Sequence, residues 1–145
     1  MSSDQHTLNK KALEPLRKCL YNYDSDAVQA ALNDIFHKDA RVQLAYPFEN
    51  LDGADGLFHA ALEPLHAAIP DLERRDTIAI AGPTDQEADW VGCCGYYTGS
   101  FLHPWLDILP TGHQVSMRFH EFYRMEGQQV VEMQALWDIP EVMVQ

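Results

Sequence analysis

Basic residues are scarce in this sequence. Its 145 residues include 10 Lys and Arg against 22 Asp and Glu, which gives a formal net charge of -12. No cluster of Lys and Arg interrupts this acidic excess. Because nucleic acids and anionic membranes attract cationic surfaces, we expect neither of them as a partner.

Long apolar runs and a cysteine framework are also missing. Charged residues or glycines break every apolar stretch within a few residues, and the N-terminal MSSDQH lacks the basic and hydrophobic regions of a signal peptide. Of the three cysteines, Cys19 is isolated, whereas Cys93 and Cys94 are neighbours that would point to opposite faces of a strand. We interpret them as small buried hydrophobic residues and expect a cytoplasmic protein.

Chain length and hydrophobic periodicity predict one α+β domain. The length fits a single domain over residues 1–145, with residues 1–7 as a flexible tail. Apolar spacing of three and four predicts helices at 8–23, 26–37 and about 54–69; alternation predicts strands at 40–46, 73–81, 87–101, 113–125 and 129–138. Pro15 and Pro64 interrupt two helical patterns, so each helix either begins or bends there. This segregation favours N-terminal helices packed on a curved, mostly antiparallel sheet.

The last two predicted strands carry a carboxylate on their apolar face. In MRFHEFYRMEGQQVVEMQALWD, residues 117–138, Glu121 shares its face with Phe119 and Tyr123. A three-residue loop at 126–128 would set Glu121 opposite Met133 and align the two apolar faces, whereas a two-residue loop would misalign them.

The sequence is compatible with two interpretations of Glu121. A buried, ionised and unpaired carboxylate is very costly, so Glu121 needs either a partner or a cavity. In the first interpretation Glu121 is structural: it pairs with an Arg or with backbone groups, or a register slip exposes it. In the second it is a general acid/base in an apolar pocket.

Four segments resemble a known family in their order and spacing. They are YPFENLDGADG, IPDLERRD, GYYTGSFLHPWLDILPTG and EFYRMEGQQVVEMQALWD. Over about residues 26–140 the chain resembles the SnoaL-like polyketide cyclases. These belong to the nuclear transport factor two-like superfamily, which also contains ketosteroid isomerase and scytalone dehydratase.

The resemblance implies a fold, a chemistry and a partner. The fold would be a cone-shaped α+β barrel around an apolar cavity, commonly as a homodimer. The chemistry would be an intramolecular aldol ring closure of a small apolar carbonyl compound, without metal or cofactor. By motif alignment the catalytic general acid/base falls on Glu121. The expected substrate pocket contains the following residues: Tyr46, Trp90, Tyr96, His103, Trp105, Phe119, Tyr123, Met133 and Trp137.

The sequence departs from the family pattern at several site positions. Many members carry a His-Trp-Asp run where this chain has Met133, Gln134 and Ala135, so that strand supplies no second acid or base. Tyr46 replaces a histidine found in some relatives, and Asp107 replaces the usual loop glycine. These departures leave ring closure of a particular polyketide poorly supported.

Three other features have competing interpretations. His59, Glu63 and His66 share a helix face, but their spacing is too long for a compact metal site, so no metal is expected. The loop at 102–112 could either cover a cavity mouth or pack as an ordinary loop. On the opposite sheet face a dimer interface or a covering helix is indicated by three apolar residues, namely Phe122, Val130 and Leu136.

Two classes of function follow, and the state of Glu121 distinguishes them. A proton-transfer enzyme, acting as cyclase, isomerase or dehydratase, requires this carboxylate at a cavity wall without a neutralising cation. A small-ligand-binding or association domain predicts a satisfied salt bridge or a filled core.

Overall fold

The N-terminal quarter of the chain is helical. The computed structural model describes residues 2–83 and 88–145. Helix α1 spans Ser2–Tyr21 and α2 spans Ser25–Ile35. Asp24 caps α2, because its side chain accepts a hydrogen bond from the backbone of Ala27 over 3.2 Å. The segment expected to be a flexible tail is therefore helical from Ser2 onward.

A third helical region changes its pitch along its length. It begins as α3, Gly53–Gly56, continues as a π-helical stretch, Leu57–Leu62, and ends as α4, Glu63–Ala68. The wide turn closes with a hydrogen bond from the backbone of Glu63 to Phe58 O, directly before Pro64. Because proline lacks the N–H of a regular helix, a π-turn at this point lets the helix continue.

Six strands form one curved sheet in the order β2-β1-β6-β5-β4-β3. Among the strands that the structure describes, β1 and β6 pair in parallel and the other neighbours are antiparallel. The strands are β1 Phe36–Leu44, β2 Glu49–Leu51, β3 Glu73–Pro83, β4 Asp89–Ser100, β5 Gln114–Glu126 and β6 Gln129–Trp137. A short helix α5, Ile139–Met143, follows β6. The predicted α+β class, with helices packed on one side of a curved sheet, is confirmed. The predicted connection at 82–86 lies partly outside the described residues.

The hairpin between β5 and β6 differs from the predicted one. Glu126 pairs with Gln129, so the loop is the two-residue turn Gly127-Gln128, with positive φ of 58° and 65°. The predicted three-residue loop is wrong. A β-bulge restores the alignment of the apolar faces, because Met125 pairs with Val130 while Arg124 already pairs with Glu132.

This bulge also corrects two details of the sequence-based alignment. Glu121 lies opposite Ala135, not Met133, and Tyr123 lies opposite Met133. Val130, expected on the outward face, is fully buried. The strict alternation predicted for β5 itself is confirmed, since its odd-numbered residues are the buried ones.

A bulge in β3 changes which side chains face the helices. Asp76 pairs with Gly95 and Ile78 with Cys94, so Thr77 is the extra residue. Arg74 therefore points into the core, whereas Ile78 points to the opposite, outer face of the sheet, where it is 52% exposed. No helix in the described part of the chain is long and apolar enough to cross a membrane.

Candidate functional site

Glu121 lies in the core on β5 and is 1% exposed. Four side chains donate hydrogen bonds to it. Arg74 Nη1 donates to Oε1 over 2.6 Å, and the Tyr123 hydroxyl donates to the same oxygen. The Tyr97 hydroxyl and Trp137 Nε1 donate to Oε2 over 2.8 and 2.9 Å. Both carboxylate oxygens are thus satisfied by protein donors, as a buried charge requires.

A row of alternating charges links Glu121 to the protein surface. Arg74 Nη2 lies 3.1 Å from Asp76 Oδ1, and Asp76 Oδ2 lies 3.1 Å from Arg17 Nε. The side chains become more exposed along the row, from 1% at Glu121 and Arg74 to 11% at Asp76 and 28% at Arg17. Because two cations alternate with two anions, the core carries no net charge at this place.

The environment holds the three main donors in their protonated forms. Burial, followed by repulsion from the Glu121 charge, raises the pKa of both Tyr97 and Tyr123 well above its usual value. Burial alone would lower the pKa of Arg74, but the attraction of Glu121 and its other neighbours holds that pKa well above the usual value. Arg74 also lies over the Phe119 ring, with 4.3 Å between the guanidinium carbon and the ring centroid.

A large apolar pocket lies elsewhere, against the outer face of β5 and β6. Its volume is about 1220 Å³, and Glu121 does not line it. Three charged residues and one histidine are spread around its wall, namely Asp107, Arg118, Asp138 and His120. The rest of the wall comes from Ala45, Tyr46, Pro47, Leu106, Ile108, Leu109, Leu136, Trp137, Ile139, Pro140 and Met143. An apolar pocket with a few polar groups is the usual form of a small-molecule site.

A known protein family matches most of this chain. The family model of the SnoaL-like polyketide cyclases matches residues 12–145. The chain belongs to this family. A search of curated protein sequences finds no significant match.

Solved structures share the fold of this SnoaL-like protein at low sequence identity. A candidate SnoaL-like polyketide cyclase from Jannaschia sp. CCS1 is 20% identical, with a TM-score of 0.78, over 96% of this chain and 91% of that one. IdmH from Streptomyces antibioticus, a candidate polyketide cyclase, is 15% identical, with a TM-score of 0.75, over 94% and 96%. AclR from Streptomyces galilaeus, a candidate hydroxylase, is 17% identical, with a TM-score of 0.76, over 96% and 84%. At these identities the likeness shows the fold alone.

The structure brings some of the pocket residues expected of a SnoaL-like protein close to Glu121. Tyr123 and Trp137 bond to it directly. The Phe48 ring contacts the rings of both Trp137 and Trp105. The distances between ring centroids are 5.6 Å to Trp137 and 6.5 Å to Trp105. Five of the expected pocket residues are buried core residues, namely Trp105, Phe119, Tyr123, Met133 and Trp137.

The other expected pocket residues do not reach Glu121. Tyr46 is 79% exposed and lines the outer pocket, and His103 is exposed. Trp90 and Tyr96 lie on the outer face of β4 and are half-buried, because the alternate residues of that strand face the core. The sequence did not decide between the two faces of β4, and the structure assigns Trp90 and Tyr96 to the outer one.

Two residues of the carboxylate site escaped the sequence analysis. Tyr97 lies in the predicted strand 87–101, whose two faces are similarly apolar, and Arg74 lies in the predicted strand 73–81; neither is among the expected pocket residues. A buried carboxylate needs a cation as its partner, and this requirement could have identified Arg74 from the sequence. The predicted strand 73–81 contains Arg74 and Arg75, and one of them had to face the core.

The loop at 102–112 is packed against the body of this family member. Leu102 N donates to Ala68 O over 2.9 Å, and Gly112 N donates to Phe101 O over 2.9 Å. Residues 106–109 of the loop form part of the wall of the outer pocket.

A tight turn in this loop lies at Leu106 and Asp107, the second of which is the position where the resemblance implies a glycine. Trp105 and Ile108 exchange backbone hydrogen bonds of 3.1 and 2.8 Å around Leu106 and Asp107, whose φ angles are 50° and 64°. Positive φ favours glycine, and aspartate tolerates it better than most residues. The turn sends Trp105 into the core, where its Nε1 is buried without a hydrogen-bond partner.

Among the described side chains of residues 5–83 and 88–145, no three His, Cys, Asp or Glu residues converge to form a metal-binding group. His66, part of the helix face considered above, stacks on Tyr23 with 4.1 Å between centroids, and its Nε2 lies 3.2 Å from Pro70 O.

Proposed function

We propose that this SnoaL-like chain is a cytoplasmic protein that binds a small apolar carbonyl compound in the outer pocket, and that Glu121 stabilises the core without acting as a general acid/base. The observation that carries this proposal is the Arg74–Glu121 ion pair. A general base must offer a lone pair to the substrate at hydrogen-bond distance. Both oxygens of Glu121 instead accept from four protein donors, and the residue is only 1% exposed.

The outer pocket has the chemistry that such a ligand needs. Most of its wall is apolar, with Leu109, Leu136 and Met143 well exposed to an incoming molecule. Arg118 and His120 lie on the same wall and are potential donors to a carbonyl oxygen. Apolar burial would provide the affinity, and one or two polar groups would orient the ligand.

A second candidate is the proton-transfer enzyme that family membership suggests. Glu121 would then serve as the general acid/base of a ring closure, isomerisation or dehydration, without metal or cofactor. The favouring observation is the set of donors around the carboxylate. Tyr97, Tyr123 and Trp137 could stabilise an enolate oxygen if a substrate displaced them from Glu121.

Binding of acetonaphthone, an apolar aromatic methyl ketone, tests the proposal. By NMR titration we expect saturable binding, weakened about tenfold or more by Leu136→Asp, because a charge replaces part of the apolar wall. Leu8→Asp is the matched control: Leu8 on α1 is also an exposed leucine, at 43% against 56% for Leu136, but it does not line the pocket. Absence of binding, or equal effects of both variants, would contradict the proposed site.

The same ketone separates the two candidate functions. Its methyl protons are acidic, so a proton-transfer enzyme would accelerate their exchange for deuterium in heavy water. We expect no acceleration over buffer. Exchange that the chain accelerates, and that folded Glu121→Gln does not, would establish the enzyme in place of the binding protein.

We also propose that the chain forms a homodimer through an outer-face patch made of Ile78, Ile80 and Phe122. Ile80, Gly92 and Phe122 lie in one row across three strands, and the Phe122 ring packs above Gly92. The three apolar side chains are 42–63% exposed. A cluster of exposed apolar residues on a sheet face is typical of an association surface.

Ile80→Asp is expected to convert the dimer to a monomer, because each copy would bury an unpaired charge at the interface. Light scattering coupled to gel filtration measures the mass. Val144→Asp, at an 85% exposed residue outside the patch, should leave the dimer intact. A natural chain that is monomeric at every concentration would refute the dimer.

A further inference from the structure

A thiol and an imidazole lie side by side on the outer face of the sheet. Cys94 on β4 and His120 on β5 are directly paired in the strand register, and both side chains point away from the helices. Cys94 Sγ lies 3.2 Å from His120 Nδ1, and both residues are half-buried. A nucleophile within hydrogen-bond reach of a base is the arrangement that activates cysteine.

The other two cysteines are in less reactive surroundings. Cys93 is fully buried, and burial raises the pKa of its thiol to about 11. Cys19 donates a hydrogen bond to Leu16 O over 3.2 Å, and its pKa is also raised, chiefly by burial. Because the thiolate is the reacting species, both are poor nucleophiles near neutral pH.

The position of the pair connects it to the outer pocket. His120 is one of the residues that line the pocket. The Cys94 sulfur contacts the imidazole of His120, so it lies one side chain away from the pocket wall. An apolar molecule that binds beside His120 would therefore bring its reactive atoms close to the thiol.

We propose that Cys94 is a site of covalent modification by small apolar α,β-unsaturated carbonyl compounds, with His120 as the proton acceptor. Their delivery through the pocket rests on the proposed function, whereas the reactivity of the thiol does not. His120 Nδ1 takes the thiol proton, and a bond forms between Sγ and the β-carbon of the ligand. The π electrons of the C=C bond move toward the carbonyl to give an enolate. The proton on His120 then passes to the α-carbon, so the addition needs no further reagent.

Reaction with N-ethylmaleimide, itself an unsaturated carbonyl compound, tests the thiol. Peptide mass spectrometry after limited exposure should find Cys94 modified before Cys19 and Cys93. His120→Ala should slow modification of Cys94 by about tenfold or more, because the proton acceptor is lost. His113→Ala is the matched control; His113 is an exposed histidine whose Nδ1 bonds to Gln114 O, and its loss should leave the rate unchanged.

The proposal would be overturned if either other cysteine were modified before Cys94 in both the natural chain and Ile80→Asp, if the rate were unchanged in folded His120→Ala, or if His113→Ala slowed the reaction equally. Ile78 of the outer-face patch is paired with Cys94 in the register, so the reaction is repeated on Ile80→Asp. If Cys94 reacts slowly in the natural chain but fast in Ile80→Asp, the result still supports the site. If Cys94 reacts slowly in both, the site is refuted.

Failure of this proposal is distinguishable from failure of the ligand pocket. Saturating acetonaphthone should slow modification of Cys94 if both proposals hold. Selective modification without any binding of acetonaphthone would refute the pocket and keep the thiol site. Binding of acetonaphthone with unselective modification would refute the thiol site and keep the pocket.

Discussion

Replacing Arg74 with methionine is expected to destabilise the fold by about 3–5 kcal/mol, the usual cost of removing one partner of a buried ion pair. Methionine fills much of the space of the arginine stem but cannot donate to Glu121. That carboxylate is 1% exposed, so water cannot replace the lost partner. Urea denaturation would measure the loss as a lower midpoint.

Arg75→Met is the matched control, because it changes the next residue of the same strand. The Arg75 side chain is 64% exposed and pairs with Glu73 at the surface, where solvent screens the interaction. We therefore expect no measurable change in stability. This contrast isolates the burial of Arg74 from the general effect of removing a positive charge.

The double variant Arg74→Met with Glu121→Met should recover much of the stability lost in Arg74→Met, since neither charge then remains in the core. Part of the loss would remain, because Tyr97, Tyr123 and Trp137 would lose their acceptor. If Arg74→Met is no more damaging than Arg75→Met, the Glu121 carboxylate does not depend on this cation. A role for Glu121 in proton transfer would then gain support over the structural role proposed above.

Local alternation was enough to predict on which face Glu121 lies. The odd residues of β5 are buried as the pattern indicates, because a strand that covers a core on one side must alternate. The ionic partner could not be derived in the same way. Arg74 precedes Glu121 by 47 positions, and only the strand order β5-β4-β3 brings the two together.

Bulges explain where the alternation argument failed. Around β6, a two-residue turn followed by a bulge gives the same alignment of apolar faces as a three-residue loop without one. The sequence alone could not separate these solutions, so Val130 was assigned to the outer face. The bulge in β3 similarly exposes Ile78 and Ile80, residues that a simple apolar pattern would place in a core.

The turn at Leu106 and Asp107 was equally hidden in the sequence. A turn with positive φ at both central residues normally contains glycine or asparagine, and WLDI contains neither. The family resemblance implies a glycine at the position of Asp107, but it does not give the backbone conformation of that residue. That turn separates Trp105, in the core, from the residues that line the outer pocket.

Gly95→Ala is expected to destabilise the chain by about 3 kcal/mol, at the upper end of the cost of overpacking. A Cβ atom on Gly95 would lie 1.9 Å from the carbonyl oxygen of Arg75 and 2.9 Å from its carbonyl carbon. These are backbone atoms at the β3 bulge, so no side-chain rotation can relieve the contact. The strands must separate or the bulge must rearrange.

Gly82→Ala is the matched control on β3, because nothing lies within 4 Å of the Cβ that it would add. We expect it to be neutral or to stabilise the chain by up to about 1 kcal/mol, since alanine restricts the unfolded chain more than glycine does. Thermal unfolding of both variants measures the difference. Equal stability of the two would mean that β3 tolerates a regular ladder beside Gly95. A regular ladder would shift the alternation of β3 by one residue on one side of Thr77. A shift before Thr77 would move Arg74 away from Glu121, and a shift after Thr77 would move Ile78 and Ile80 off the outer face. The Gly95→Ala result therefore tests the bulge on which both the buried ion pair and the outer-face patch depend.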